Sequence, residues 1–302
     1  MTVVDYSIWL LQCGYIDEFP VGGIFYGAHN AGTMRIPFCY IAIKSADDVF
    51  LIDTGYKFRD YGRELAEQYA VEGWIEPADL LSEIAVAPTD VRAVVVTHAH
   101  WDHMGNLDAF PQAQVVLQKD ELNRWMEVLA MPSRYSFLRG GLDPSDIATL
   151  HQRALSGQLR LVDGDTNDVL PGVDVVLAAE THTLAHQLVV INTPRGTFVA
   201  TGDCVYSYRN LRGIDDSGVY TPIGTAVGSQ AKVLQSYDRV MALAHGDLNH
   251  VIPVHDDEAW ERFPSREVRP GVHIAEVTLA AGAPSRVSGR HRSRLEPDDP
   301  DV

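Results

Sequence analysis

The chain has 302 residues, 46% of them hydrophobic and 22% charged, enough apolar material for the core of one large domain or two small ones. Its formal net charge of −17 repels a phosphate backbone and argues against nucleic acid as partner or substrate. No apolar run approaches the ~18 residues needed to span a bilayer, and Met1–Asp5 has no basic stretch before an apolar one, so no membrane partner or secretory leader is expected and the expected compartment is cytoplasmic.

Ser7–Leu11, Phe38–Lys44 and Asp48–Asp53 are rich in β-branched and aromatic residues and broken by Gly, Asn and Asp, which predicts strands. Arg59–Tyr69 and Ala78–Ala85 carry apolar residues at helical spacing. Arg92–Val96 and Val115–Gln118 are short apolar strands. Helices follow over Asp120–Ala130 and Ser145–Leu155, the second capped by Ser145 after Pro144. Further strands fit Leu159–Val162, Val173–Ala178, Gln187–Asn192, Thr197–Thr201 and Val251–Val254, with a helix over Gln230–Ala244. Strands and helices alternate in two halves, an α/β pattern of sheets covered by helices. The segment from Arg286 to Val302 is charged and poor in apolar residues, and is expected to be a disordered tail.

Four strand candidates each run straight into metal-ligand side chains. Val94–Thr97 leads into His98-Ala99-His100-Trp101-Asp102-His103. Val175–Thr181 leads to His182, Phe198–Gly202 to Asp203, and Val251–Val254 to His255. Strand ends are rigid, and the loops just beyond them can aim side chains at a common point. Imidazole and carboxylate are the donors that zinc and similar cations favour. Four such groups in six residues are too many for one tetrahedral ion with an open position. Alternate residues of an extended segment point in opposite directions, so one segment can serve two ions.

His98-x-His100-x-Asp102-His103, followed in order by His182, Asp203 and His255, resembles the metallo-β-lactamase superfamily. The resemblance runs from about the Asp53-Thr54-Gly55 turn to His255. It implies a four-layer αββα sandwich over residues 1–285, with the site at one edge. It also implies a first ion on His98, His100 and His182, a second on Asp102, His103 and His255, and Asp203 bridging them. The expected cofactor is a pair of divalent metal ions, Zn2+ first, although such a cage also accepts Mn, Fe or Co. Tyr206, three residues after Asp203, and the aromatic Trp101 resemble substrate-contacting positions of the acyl-homoserine lactone lactonases, the quorum-quenching branch.

The chain also departs from the family. Ala179-Glu180-Thr181-His182-Thr183-Leu184-Ala185-His186 lacks the Gly and Pro that many members have there, which leaves His186 as an alternative to His182. Ile252-Pro253-Val254-His255 lacks a Gly that is common before the last histidine. Asp53 is expected to brace the metal loop by hydrogen bonds. His29, His151, His245, His250, His273 and His291 are expected to be solvated or packing residues. Cys13, Cys39 and Cys204 form no CxxC pair and are expected to be reduced and buried.

The expected reaction is the opening of a lactone by a hydroxide shared between the ions, with Tyr206 stabilising the oxyanion and Asp102, then Asp203, carrying the proton. A glyoxalase II type thioesterase, a β-lactamase, a phosphoesterase and an iron-dependent sulfur dioxygenase are the alternatives for this cage. The expected partner is a small lactone or ester substrate; the oligomeric state is left open, with the 120–160 insertion as the candidate surface for a homodimer. The pocket wall is expected in segments 20–37, 56–75 and 120–160, with Phe25, Tyr26, Phe58, Tyr135 and Phe137 either lining it or packing.

Overall fold

Ser7–Pro20 forms the first strand, β1, and its alternation sets the layers. Ile8 and Leu10 enter one buried cluster, while Trp9, Leu11 and Cys13 enter another, because successive strand residues face opposite sides of a sheet. The computed structural model describes residues 2–287. After β1 come α1 (Val21–Ile24), β2 (Thr33–Lys44), β3 (Val49–Ile52), α2 (Asp60–Gln68), α3 (Pro77–Ser82), β4 (Val91–Val95), α4 (Trp101–Met104) and β5 (Gln114–Gln118). The middle of the chain supplies α5 (Lys119–Ala130), α6 (Pro144–Leu155), β6 (Leu159–Val162), β7 (Thr166–Leu170), β8 (Val173–Ala179), β9 (Ala185–Thr193) and β10 (Gly196–Gly202). The remainder is α7 (Tyr208–Arg212), α8 (Gln230–Leu243), β11 (Val251–Pro253), α9 (Ala259–Arg262), β12 (Ser265–Arg269) and β13 (Val272–Thr278).

Two sheets result. The eight-stranded one has the order β12-β13-β1-β2-β3-β4-β5-β6, and the five-stranded one β11-β10-β9-β8-β7. Ile41, Ile43, Phe50 and Val95 of the first sheet meet Val175, Val189, Ile191 and Ala200 of the second in a shared apolar layer. The outer face of the first sheet packs on Leu65, Leu80, Trp125 and Leu150 of helices α2, α3, α5 and α6. The outer face of the second packs on Val233, Tyr237 and Val240 of α8. This is the expected αββα order. Gln187, fully buried on β9, ties the sheets together: its backbone N–H donates to Thr97 O at 2.9 Å and its side-chain amide to Val96 O at 2.7 Å.

Most predicted elements are present with shifted ends, but three corrections stand out. β1 and β2 run on past the predicted strands into a long ribbon, where bulges at Gln12/Gly14 and Ile16/Phe19 break the alternation. Helix α6 is capped by Asp143, not Ser145. The Asp143 carboxylate accepts the Ser145 N–H at 2.8 Å, and Pro144 takes the first helical position, where no N–H is needed. Strands β7, β12 and β13 lie in stretches given no element by the sequence. Of the expected tail, Val287 is buried and Arg286 O accepts the Arg266 Nε proton at 2.6 Å; positions 288–302 lie outside the described residues. Among the described residues no helix is long and apolar enough to cross a membrane.

Candidate metal centre

β3 and β4 pair in parallel, with Ile52 beside Val95, so the loops after them leave side by side. Asp53 takes φ +63° in the first loop, a conformation that Asp tolerates better than most residues. Its Oδ1 accepts the Thr97 N–H at 2.7 Å, and its Oδ2 accepts the Thr97 hydroxyl at 2.8 Å and His103 Nδ1–H at 2.8 Å. Asp53 therefore braces the loop as the sequence suggested. Gly141 supports the same loop from the insertion: its carbonyl accepts the Trp101 N–H at 2.9 Å, and a Cβ there would lie 2.9 Å from the His100 ring.

The histidines are turned by what holds their outer nitrogens. His98 Nδ1 lies 3.0 Å from Thr97 Oγ1, whose own proton goes to Asp53. His103 Nδ1 is held by Asp53, His182 Nδ1 by Thr225 O at 2.7 Å, and His255 Nδ1 by Pro37 O at 2.7 Å. Each of these rings is held through Nδ1 and turns Nε2 inward. His100 presents Nδ1, which faces His182 Nε2 at 2.9 Å.

Two donor sets form, all buried. His98, His100, His182 and Asp203 make one, and Asp102, His103 and His255 the other. Within each, the donor atoms lie within 4.8 Å of one another. Asp203 joins them. Its Oδ2 is 3.2 Å from His182 Nε2 and 3.9 Å from His98 Nε2, while Oδ1 is 3.0 Å from His103 Nε2 and 3.1 Å from His255 Nε2. Asp102 Oδ2 stands 3.4 Å from His103 Nε2 and 3.6 Å from His255 Nε2.

His98 Nε2, His103 Nε2 and Asp203 Oδ1 are buried without a hydrogen-bond partner. Such atoms are costly to bury, and converging imidazole nitrogens and carboxylate oxygens are the donors a divalent cation takes. The residues present thus fit two metal ions. Burial pushes His98, His182 and His100 down, His100 to about 3, so the first set offers neutral imidazoles. In the second set burial also opposes charge, but the Asp203, Asp102 and Asp53 carboxylates outweigh it and raise His103, as Asp203 and Asp102 raise His255. That half of the site draws positive charge. Burial alone would raise Asp102 and Asp203; the adjacent His103 and His255 hold both below the usual carboxylate range.

His182 sits in the first set and His186 does not. His186 stacks on His98 with ring centroids 4.9 Å apart and accepts the Asp203 N–H on Nε2 at 3.2 Å, so it lies behind the donors. Cys204 is fully buried, 3.1 Å from Thr181 Oγ1, and burial raises its thiol to about 12. His29, His151 and His245 are exposed, His250 and His273 half-buried, and none of these five joins a donor set. His291 lies outside the described residues.

A cavity of about 520 Å³ opens over Asp102, Asp203, His100, His182 and His255. Tyr206 and Trp101 both line it. The Tyr206 ring centroid is 5.7 Å from that of His182 and 5.2 Å from that of His255. Trp101 is also packed, against Tyr56 at 5.1 Å and Tyr69 at 6.2 Å. The rest of the wall is mainly apolar, with Ile16, Phe19, Ile36, Phe38, Leu138 and Val227, and no described wall residue is Lys or Arg. Of the five aromatic candidates only Phe137 lines it. Phe25 is core, Phe58 stacks on Trp74 at 5.7 Å, and Tyr26 and Tyr135 are exposed outside the wall. The sequence missed the part of the wall built by the β1 ribbon and by residues 224–227. It also missed Glu121, whose buried carboxylate accepts protons from both ligand loops. Glu121 shares a helix face with buried Trp125 and Val128, so an acid at an apolar-face position was the available signal.

Residues 32–245 match the family described as the Metallo-beta-lactamase superfamily. The chain belongs to that superfamily. Among curated relatives, it is 25% identical over 183 residues to an N-acyl homoserine lactonase of Bacillus cereus, covering 57% of this chain and 65% of that protein. It is 23% identical over 248 residues to ribonuclease J 1 of Streptococcus pyogenes serotype M3, covering 80% of this chain and 36% of that protein. The matched stretch is thus under two thirds of either relative. Among solved structures, a quorum-quenching N-acyl homoserine lactone lactonase superposes with a TM-score of 0.64 at 17% identity, over 90% of this chain and 100% of that one. The fold and the family place the chain in this superfamily, and its two donor sets could hold metal ions.

Proposed function

We propose that residues 1–285 form one dinuclear hydrolase domain that opens a lactone ring, with N-acyl-homoserine lactones and other small lactones as the substrate class and Zn2+ as the first candidate metal. The observation that carries this is the pairing of two donor sets, joined through Asp203, with a mainly apolar cavity whose described wall holds no Lys or Arg. A phosphoester, or a thioester or β-lactam bearing a carboxylate, would bring a charge for which the wall beyond the donor sets offers no Lys or Arg. A neutral cyclic ester with an apolar substituent brings none. The lactonases among the relatives support the same reading. The match to ribonuclease J 1 is opposed by the net charge of −17.

Divalent ions in the two sets would supply an acidified water and a Lewis-acid contact for a carbonyl oxygen. The side chains do the rest. Burial raises Tyr206 well above the usual tyrosine range, so its hydroxyl stays protonated and can donate to an oxyanion developing beside it. Asp102, kept ionised by His103 and His255, is placed to take a proton from the attacking water and return it to the leaving alkoxide; Asp203 is the second candidate. The apolar wall excludes competing water and seats the substituent.

The test is a panel of lactones, from acyl-homoserine lactones to aromatic-fused rings, offered to metal-replete protein and followed by acid release beside a chelator-stripped control. Metal-dependent opening of any lactone supports the reading, and the ranking of rates defines the pocket. Full metal content with no lactone opened sinks it and turns the search to thioesters, β-lactams, phosphoesters and oxygen-consuming chemistry.

A further inference from the structure

Glu121 is fully buried on the first turn of α5, and its carboxylate receives four donors. Oε1 accepts the Ala99 N–H at 3.0 Å and the Trp125 indole N–H at 2.8 Å. Oε2 accepts the Ala185 N–H at 2.8 Å and the Thr183 hydroxyl at 3.0 Å. Both oxygens are satisfied, as a buried carboxylate requires. The partners are not scattered. Ala99 lies between His98 and His100. Thr183 follows His182 directly, and Ala185, two residues further, opens β9. Trp125 packs its ring on His100, with centroids 5.6 Å apart.

Every histidine of the first donor set therefore hangs from Glu121 through an adjacent residue or a packed ring. The second set hangs elsewhere: His103 on Asp53 and His255 on Pro37 O. An acid is a costly way to fill a core position, and at this one its donors are the two ligand loops, Ala185 where the second loop enters β9, and the indole against His100. We infer that Glu121 is a positioning residue for the first donor set alone, so that α5 controls the affinity of one metal ion independently of the other. This rests on the two-ion reading of the site.

Glu121→Gln tests it. The amide keeps one acceptor oxygen and turns an NH2 group towards two donors, so whichever way it lies two of the four donors lose their acceptor. Metal-free protein is titrated with Zn2+ in a calorimeter, and metal content is counted after dialysis against graded chelator. Wild type should take up two ions. In Glu121→Gln one of the two binding steps should weaken about 10–100-fold, the range for losing an outer support of a ligand, with the other unchanged. Thr183→Val removes a single donor and should weaken the same step by less, while the melting temperature of its metal-free form stays near wild type. Equal weakening of both steps, or of neither, in variants whose metal-free forms melt like wild type overturns the inference but leaves the two-ion reading intact. Fewer than two ions on wild type overturns both.

Discussion

The hydroxyl of Tyr206 lies 2.9 Å from Thr225 Oγ1, and the backbone carbonyl of the same Thr225 receives the Nδ1 proton of His182 at 2.7 Å. One loop residue thus orients both a donor set and a side chain that lines the cavity. In Tyr206→Phe the hydroxyl is lost but the ring that packs on His182 and His255 remains. Metal content should stay at the wild-type value, while kcat falls about 10²–10³-fold if the hydroxyl serves the oxyanion. Thr225→Val should cost less, because Tyr206 keeps its own proton. Unchanged kinetics in Tyr206→Phe would remove that residue from the mechanism.

Asp53 stands behind both donor sets, through His103 directly and through Thr97 to His98. Asp53→Asn retains one oxygen but places an amide N–H2 against a donor. Both metal-binding steps should weaken, by about 10–100-fold for the one that includes His103. Zn2+ titration of the metal-free variant checks this. It also separates Asp53, which supports two sets, from Glu121, which supports one.

The residues that the structure gathers into two clusters were legible in the sequence because their spacing is local and tied to strand ends. His98 to His103 form one short segment, and His182, Asp203 and His255 each follow an apolar run. What it concealed depends on contacts between distant segments. Ile16 and Phe19 reach the pocket only because bulges carry β1 beyond its regular stretch. Thr225 matters only because its loop folds back onto His182. The choice between His182 and His186, four residues apart, was decided by β9: it begins at Ala185 and buries His186 behind His98. At the edge of the larger sheet, β12 (Ser-Arg-Glu-Val-Arg) holds one apolar residue and the alternation of β13 breaks at Ile274-Ala275, a weaker signal than the apolar runs of β4 and β5.

Lys57 bridges two buried carboxylates, Asp143 at 2.9 Å and Asp146 at 2.6 Å, where α6 meets the loop after β3. One ammonium cannot neutralise both. Burial, reinforced by Asp143, outweighs Lys57 and raises Asp146 to about 7. The folded state therefore holds a proton that the unfolded chain releases near the ordinary carboxylate value. Stability from this group is full at pH values below that ordinary value and is lost as pH rises towards about 7. In Asp146→Asn this fall should disappear, so the melting temperature of the variant should decline less than that of wild type between about pH 4 and 7. Parallel melting curves for the two proteins over that window would show that Asp146 titrates normally.

Phe137 is 93% exposed yet lines the mouth of the cavity, on the segment between α5 and α6. A large aromatic left in water at a pocket rim gains by covering an apolar substituent that extends past the metal centre. Its ring has no hydrogen bond or charge to offer, so it should act on binding and not on the chemical step. Phe137→Ala should raise KM about fivefold for lactones with long acyl chains, the loss expected for a contact of about 1 kcal/mol. Short-chain lactones, which end before the rim, should keep their KM, and kcat should hold for both. Steady-state kinetics over a chain-length series separates the outcomes. A uniform rise in KM at every length would mean that Phe137 shapes the whole pocket instead of meeting the end of the chain, and no change at any length would mean that the substituent leaves by another wall.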